Sequence, residues 1–152
     1  MLELKIKEAL FNQCQSFVNK RLQTVEAVLS SNQKALQSET KSSAGDKHET
    51  GRAMLQLEME KAGQQLSGIV QMKVVLSKID IFKSSKNACL GSVIITDKVS
   101  YFLSISAGQL VVADKSYFAI SVSSPIGKLL LGKQKKEVIS FNGKIIVINE
   151  II

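Results

Sequence analysis

A chain of 152 residues with 45% hydrophobic residues, one Pro and no Trp can build one sizeable core or two small ones, and its composition excludes a disordered polymer. The 20 Lys and Arg against 13 Asp and Glu leave a net charge of +7, which favours nucleic acid, an anionic membrane or an acidic protein without choosing among them. The excess is uneven: residues 1–80 carry 11 basic and 9 acidic side chains, residues 81–152 carry 9 and 4.

At the amino terminus, charges interleave with apolar residues from Met1 to Glu8, so no signal peptide is expected, and no apolar run elsewhere is long enough to span a membrane. Cys14 and Cys89 stand far apart and outside any metal-ligand spacing. Free thiols in a reducing, cytoplasmic compartment are the expectation.

From Leu2 onward apolar residues recur at threes and fours through Ile6, Leu10, Cys14, Phe17, Val25, Val28 and Leu36, with Arg21 and Asn32 as polar interruptions of the stripe. That periodicity predicts a helix with one wet face, and no Gly or Pro breaks it before Gly45. The pattern fades from Ser38 to Glu49, where Ser, Gly and Asp compete with helical hydrogen bonds and predict a turn. A second run, Leu55, Met59, Ala62, Leu66, Ile69, Met72, Leu76 and Ile79, steps as a heptad seam and predicts a helix that packs antiparallel on the first. The expected hairpin occupies residues 1–80, with its tip near 39–50.

After Asp80 the period becomes that of strands, expected at 92–95, 101–105, 109–113, 118–122, 138–141 and 144–148, with turns at Gly91, Gly108, Asp114-Lys115 and Asn142-Gly143. Between the fourth and fifth, Ser124-Pro125 reads as the start of a short helix ending at Gly132. The expected class is α+β, a helical hairpin followed by a small, mainly antiparallel β-rich domain over 81–152.

Taken alone, most chemistry-bearing residues have plain readings. Asp46 and Glu49 suit an N-cap and capping box, and His48, the single histidine, supports neither a zinc site nor a nucleophilic triad. Lys133, Lys135 and Lys136 read as a solvated turn, and 5% aromatics offer little for base stacking.

The run Ser124-Pro125-Ile126-Gly127-Lys128-Leu129-Leu130-Leu131-Gly132-Lys133 resembles the Ser-Pro-(Ile/Met)-Ala-x-x-Leu-(Ile/Leu)-Gly-Lys signature of Gre-type transcription elongation factors. Element order and lengths resemble that family over nearly the whole chain, and Gly45-Asp46-Lys47-His48-Glu49-Thr50 resembles its Gly-Asp-x-x-Glu-Asn tip. The resemblance implies an FKBP-like β domain and an accessory factor, not an enzyme in its own right, that acts as a monomer on RNA polymerase. By that resemblance, partner contacts fall at Ser123, Ser124, Pro125, Ile126, Lys128 and Leu131. Asp46 and Glu49 would help to hold a magnesium ion shared with the polymerase, so that backtracked RNA is cleaved. RNA and DNA would be met only within the transcription complex, and no membrane is implied. This chain departs from the family's usual residues at Thr50, Gly51, Arg52, Ala53 and Ser123. Anchoring the tip on Arg52 instead moves the acidic positions to Lys41 and Ala44, which leaves open a Gre-like regulator without cleavage. A coiled-coil adaptor that self-associates, and a peptidyl-prolyl isomerase, are the readings from other classes.

Overall fold

The computed structural model describes residues 2–40 and 46–152, and the side chains of residues 39, 40 and 46–49 lie outside that description. Two long helices, α1 (Leu2–Thr40) and α2 (Asp46–Ser77), precede six strands: β1 (Val93–Thr96), β2 (Ser100–Ser104), β3 (Gly108–Val112), β4 (Lys115–Ser121), β5 (Val138–Phe141) and β6 (Lys144–Ile151). One short helix, α3 (Pro125–Leu130), falls between β4 and β5. The class is α+β.

Packing divides the chain into a helical unit, Val18–Lys73, and a sheet unit that joins Met1–Phe17 to Val74–Ile152. In the helical unit, Val18, Val25 and Asn32 of α1 are buried at intervals of seven, as are Ala62 and Ile69 of α2. Half-buried Leu22, Leu29, Leu36, Leu55, Met59 and Leu66 fill the steps of three and four between them. A lone helix cannot bury its own side chains so far, and two helices joined by five residues pack antiparallel, so each seals the other's heptad seam. The seam in α1 differs from the sequence expectation. Arg21 and Val28 lie exposed, and Leu22 and Leu29 take their places, because a strict seven-residue repeat rather than the fours of the first turns governs residues beyond Val18; Leu2, at the start of α1, is exposed as well.

The sheet unit carries strand order β3-β4-β2-β1-β6-β5. Four of its pairings are antiparallel, and β2–β4 is parallel, with Phe102 opposite Ala119. The sheet is therefore mixed: the β3–β4 hairpin folds back so that β4, not β3, lies beside β2. All six expected strands are present, with ends displaced by a few residues at most. The Asn142-Gly143 turn forms with both residues in the left-handed region, φ 52° and 77°, as a two-residue hairpin requires. The β3–β4 turn centres on Ala113 and Asp114, at φ 51° and 65°, one residue before the expected Asp114-Lys115. Both are side-chain-bearing residues in a strained region.

Each face of the central strands is covered. On one, Ile94, Leu103, Ile139, Ile146 and Ile148 pack with Ile126 and Leu130 of α3 and with Ala88. On the other, Val93, Phe102, Ser104, Tyr117 and Ala119 are buried, and Cys14 of α1 places its Sγ 3.7 Å from Ser104 Oγ. Gln13 Nε2 donates to the Val111 carbonyl at 2.9 Å, fixing the first turns of α1 on this face.

Candidate functional site

The α3 segment is built around one hydroxyl. Ser124 Oγ donates to the Ser121 carbonyl at 2.6 Å and accepts from the Gly127 N–H at 3.1 Å, so it ties the end of β4 to the first turn of the helix. Pro125 occupies the first turn, where its missing N–H costs nothing. The helix stops at Leu131, and Gly132, at φ 83°, turns the chain so that its N–H donates to the Ala88 carbonyl at 2.7 Å. Ala88 N–H donates in return to the Lys133 carbonyl at 2.7 Å.

The partner residues expected from the resemblance separate into two sets. Ile126 is 8% exposed and belongs to the core under α3, and the Ser124 hydroxyl is committed to the cap. Ser123, Pro125, Lys128 and Leu131 are exposed, Leu131 at 46%, and Leu129 adds a further apolar surface. α3 thus presents a small mixed apolar and basic face above a rigid, capped base.

Gly127 was missed as a structural determinant. A Cβ there would lie 2.1 Å from the Ser121 carbonyl oxygen, so the tight β4–α3 turn excludes the Ala that the Gre signature has at this place. A Gly within a six-residue helix was the available signal.

Asp46 and Glu49 fall in the first turn of α2. Their side chains, and residues 41–45 with the alternative positions Lys41 and Ala44, lie outside the described residues. Among the described residues no group of three or more His, Cys, Asp and Glu side chains gathers to hold a metal ion. Two carboxylates are in any case too few to complete the six oxygen ligands of magnesium, so further ligands would have to come from a partner or water.

Two titratable side chains of α1 are displaced from their usual values. Burial lowers the Lys7 amine, which donates to the Lys83 carbonyl at 2.9 Å, while Cys89, Asp80 and Glu3 act in the opposite sense. Burial raises the Cys14 thiol, and its hydrogen bond with Ser104 offsets part of that rise. Both cysteines are free. Among the described residues, no helix is long and apolar enough to cross a membrane.

The fold and site define an α+β protein whose short capped helix presents an accessible face beside a basic loop. No protein-family model matches the chain, and comparisons with curated proteins and with solved structures found no match.

Proposed function

We propose that the chain is a cytoplasmic, monomeric accessory factor of a bacterial-type RNA polymerase, docking through the exposed residues of the 123–131 segment and stimulating cleavage of backtracked RNA. The observation that carries this reading is the run Ser124–Lys133, whose resemblance to the Gre signature coincides with a capped helix that leaves Ser123, Pro125, Lys128 and Leu131 accessible. A pair of long helices preceding a small sheet supports it. Asp46 and Glu49 contribute carboxylate oxygens of the kind magnesium prefers, three residues apart at the start of α2. Magnesium shared with the polymerase would supply activation of the attacking water. The polymerase provides the active site, and this chain provides two ligands and their placement.

A second reading keeps the docking and drops the cleavage. It is favoured by Thr50, Gly51, Arg52 and Ala53 in the tip, each a departure from the family's usual residue. Both readings require polymerase binding. Co-elution of the purified chain with core polymerase should be lost in a Lys128→Glu, Leu131→Glu variant whose circular dichroism is unchanged. Absence of co-elution for the parent chain would remove both readings.

A further inference from the structure

Phe82 is 77% exposed, the most exposed large apolar side chain among the described residues, and it sits between Ile81 and Lys83 in the loop that follows α2. The same loop continues through Ser84, Ser85 and Lys86, and hydrogen bonds hold it beside the loop after α3. Besides the paired Ala88 and Gly132/Lys133 backbones, Gln134 Nε2 donates to Asn87 Oδ1 at 2.7 Å. Between the two loops lies an open hollow of about 410 Å³ lined by Ser84, Ser85, Lys86, Gln134, Lys135, Glu150 and Ile151. A neighbouring hollow is lined by Phe82, Lys83 and the shared Ser84 together with Ile81, Ile152 and, from α1, Glu3, Leu4 and Lys7.

The charges in these loops are unbalanced. Lys135 pairs with Glu150 at 3.0 Å, Glu137 Oε2 accepts from the Gln134 N–H at 2.6 Å and Asp80 Oδ1 from the Phe82 N–H at 3.0 Å, whereas Lys83, Lys86, Lys133 and Lys136 have no carboxylate partner among the described residues. Lys136 also adopts φ 76°, a left-handed conformation that β6 imposes through the bond from its N–H to the Ile148 carbonyl at 2.8 Å. Glycine would take that conformation without steric cost, so a lysine there is a strained choice of residue.

We propose that Phe82 and the lysines of the 83–86 and 133–136 loops bind single-stranded nucleic acid, the ammonium groups meeting phosphates while Phe82 stacks on a base. An exposed aromatic ring beside unpaired cations is the combination that a single strand recognises, since its bases are free to stack and its backbone runs past the charges. The Ser84 hydroxyl adds a polar contact for the same backbone. An acidic peptide would use the lysines and leave the ring unexplained. This surface does not depend on the polymerase reading, and it is tested on the chain alone.

The test is fluorescence anisotropy of labelled oligouridylate and oligothymidylate, titrated with the full chain over a range of salt. Binding is expected with log K falling against log salt at a slope of about −3, as four single-strand phosphate contacts require. Phe82→Ala should weaken binding by about 5-fold or more without loss of helical signal, since stacking of one base supplies a factor of that order. Lys86→Gln with Lys133→Gln should flatten the slope by about 1.4. Lys136→Gly should flatten it by about 0.7 while the melting temperature is held or raised, which separates charge from folding. Equal affinity for the two oligonucleotides supports recognition of phosphate and base face, and tighter RNA binding supports it with an added ribose contact. Absence of binding at low salt, an unaffected Phe82→Ala protein, a duplex bound as tightly as either single strand, or tighter binding to polyglutamate would overturn the proposal.

Discussion

The helical unit and the sheet unit use different means to become stable. In the helical unit a single seam closes on small or mid-sized side chains, Val18, Val25, Ala62 and Ile69, and one of its buried positions is Asn32, whose Nδ2 has no hydrogen-bond partner among the described residues. The sheet unit is sealed on both faces, with Phe102, Leu103, Ile94, Val93, Leu130 and Ile148 all essentially inaccessible. A seam this narrow specifies register more than it stabilises, whereas two covered faces give a rigid platform for α3. The chain's only two tyrosines, Tyr101 and Tyr117, lie in the sheet unit, so tyrosine fluorescence follows that unit while far-ultraviolet helical signal is dominated by the long helices.

That separation allows each unit to be broken by itself. Phe102→Ala should cost about 4 kcal/mol through lost burial and a cavity between two covered faces, seen as an earlier tyrosine transition. Ile69→Ala should cost about 2 kcal/mol and appear mainly in the helical signal. Coincident shifts of both probes in both variants would show the two units melting as one.

Gly127→Ala should destabilise the sheet unit by about 3 kcal/mol, because backbone rather than a flexible side chain meets the added methyl. A denaturant midpoint equal to that of the parent would mean that the β4–α3 turn can open without cost. Asn32→Leu should act in the other direction. Removing a buried amide with an unmet donor should stabilise the helical unit by about 1 kcal/mol, while loosening the specificity of its register. The check is the helical transition together with the oligomeric state, where new self-association would expose the lost specificity.

The smallest expected effect is at alkaline pH. Cys14 has a folded pKa raised above its ordinary 9.0, so the unfolded chain loses its thiol proton first and stability falls as pH rises through 9.0 toward the folded value. The buried Lys7 works oppositely: its folded pKa lies below the ordinary 10.5, so the cost of burying its charge is relieved as pH rises toward 10.5. Cys14→Ala should therefore flatten the loss of stability just above pH 9.0, measured by denaturant midpoints on either side of it.

The contrast between units also explains what could be read from the sequence. Heptad steps in α2 and the turn residues Ser124, Pro125, Gly132, Asn142 and Gly143 are local signals, and the elements they mark are present. Leu22 and Leu29 escaped because the tighter fours of the first turns, which face the sheet through Leu10 and Cys14, were extended into a region that follows sevens. Strand positions were legible and the parallel β2–β4 pairing was not, since nothing in a strand's own residues says which neighbour a hairpin will insert. The loop pairing through Ala88 and Gly132 joins residues 44 apart and left no local mark. Ile126 reads identically as a core residue or a contact, and only packing places it under α3. The tip residues 41–45 and the Asp46 and Glu49 side chains lie outside the described residues, so for them the sequence remains the guide.

Transcript cleavage in stalled polymerase complexes with added magnesium tests the central claim most directly, comparing the parent chain with Asp46→Ala, Glu49→Ala. Shortened RNA is expected with the parent and none above background with the variant, although both bind the polymerase. Equal cleavage by the two proteins, or none by either despite binding, would contradict it.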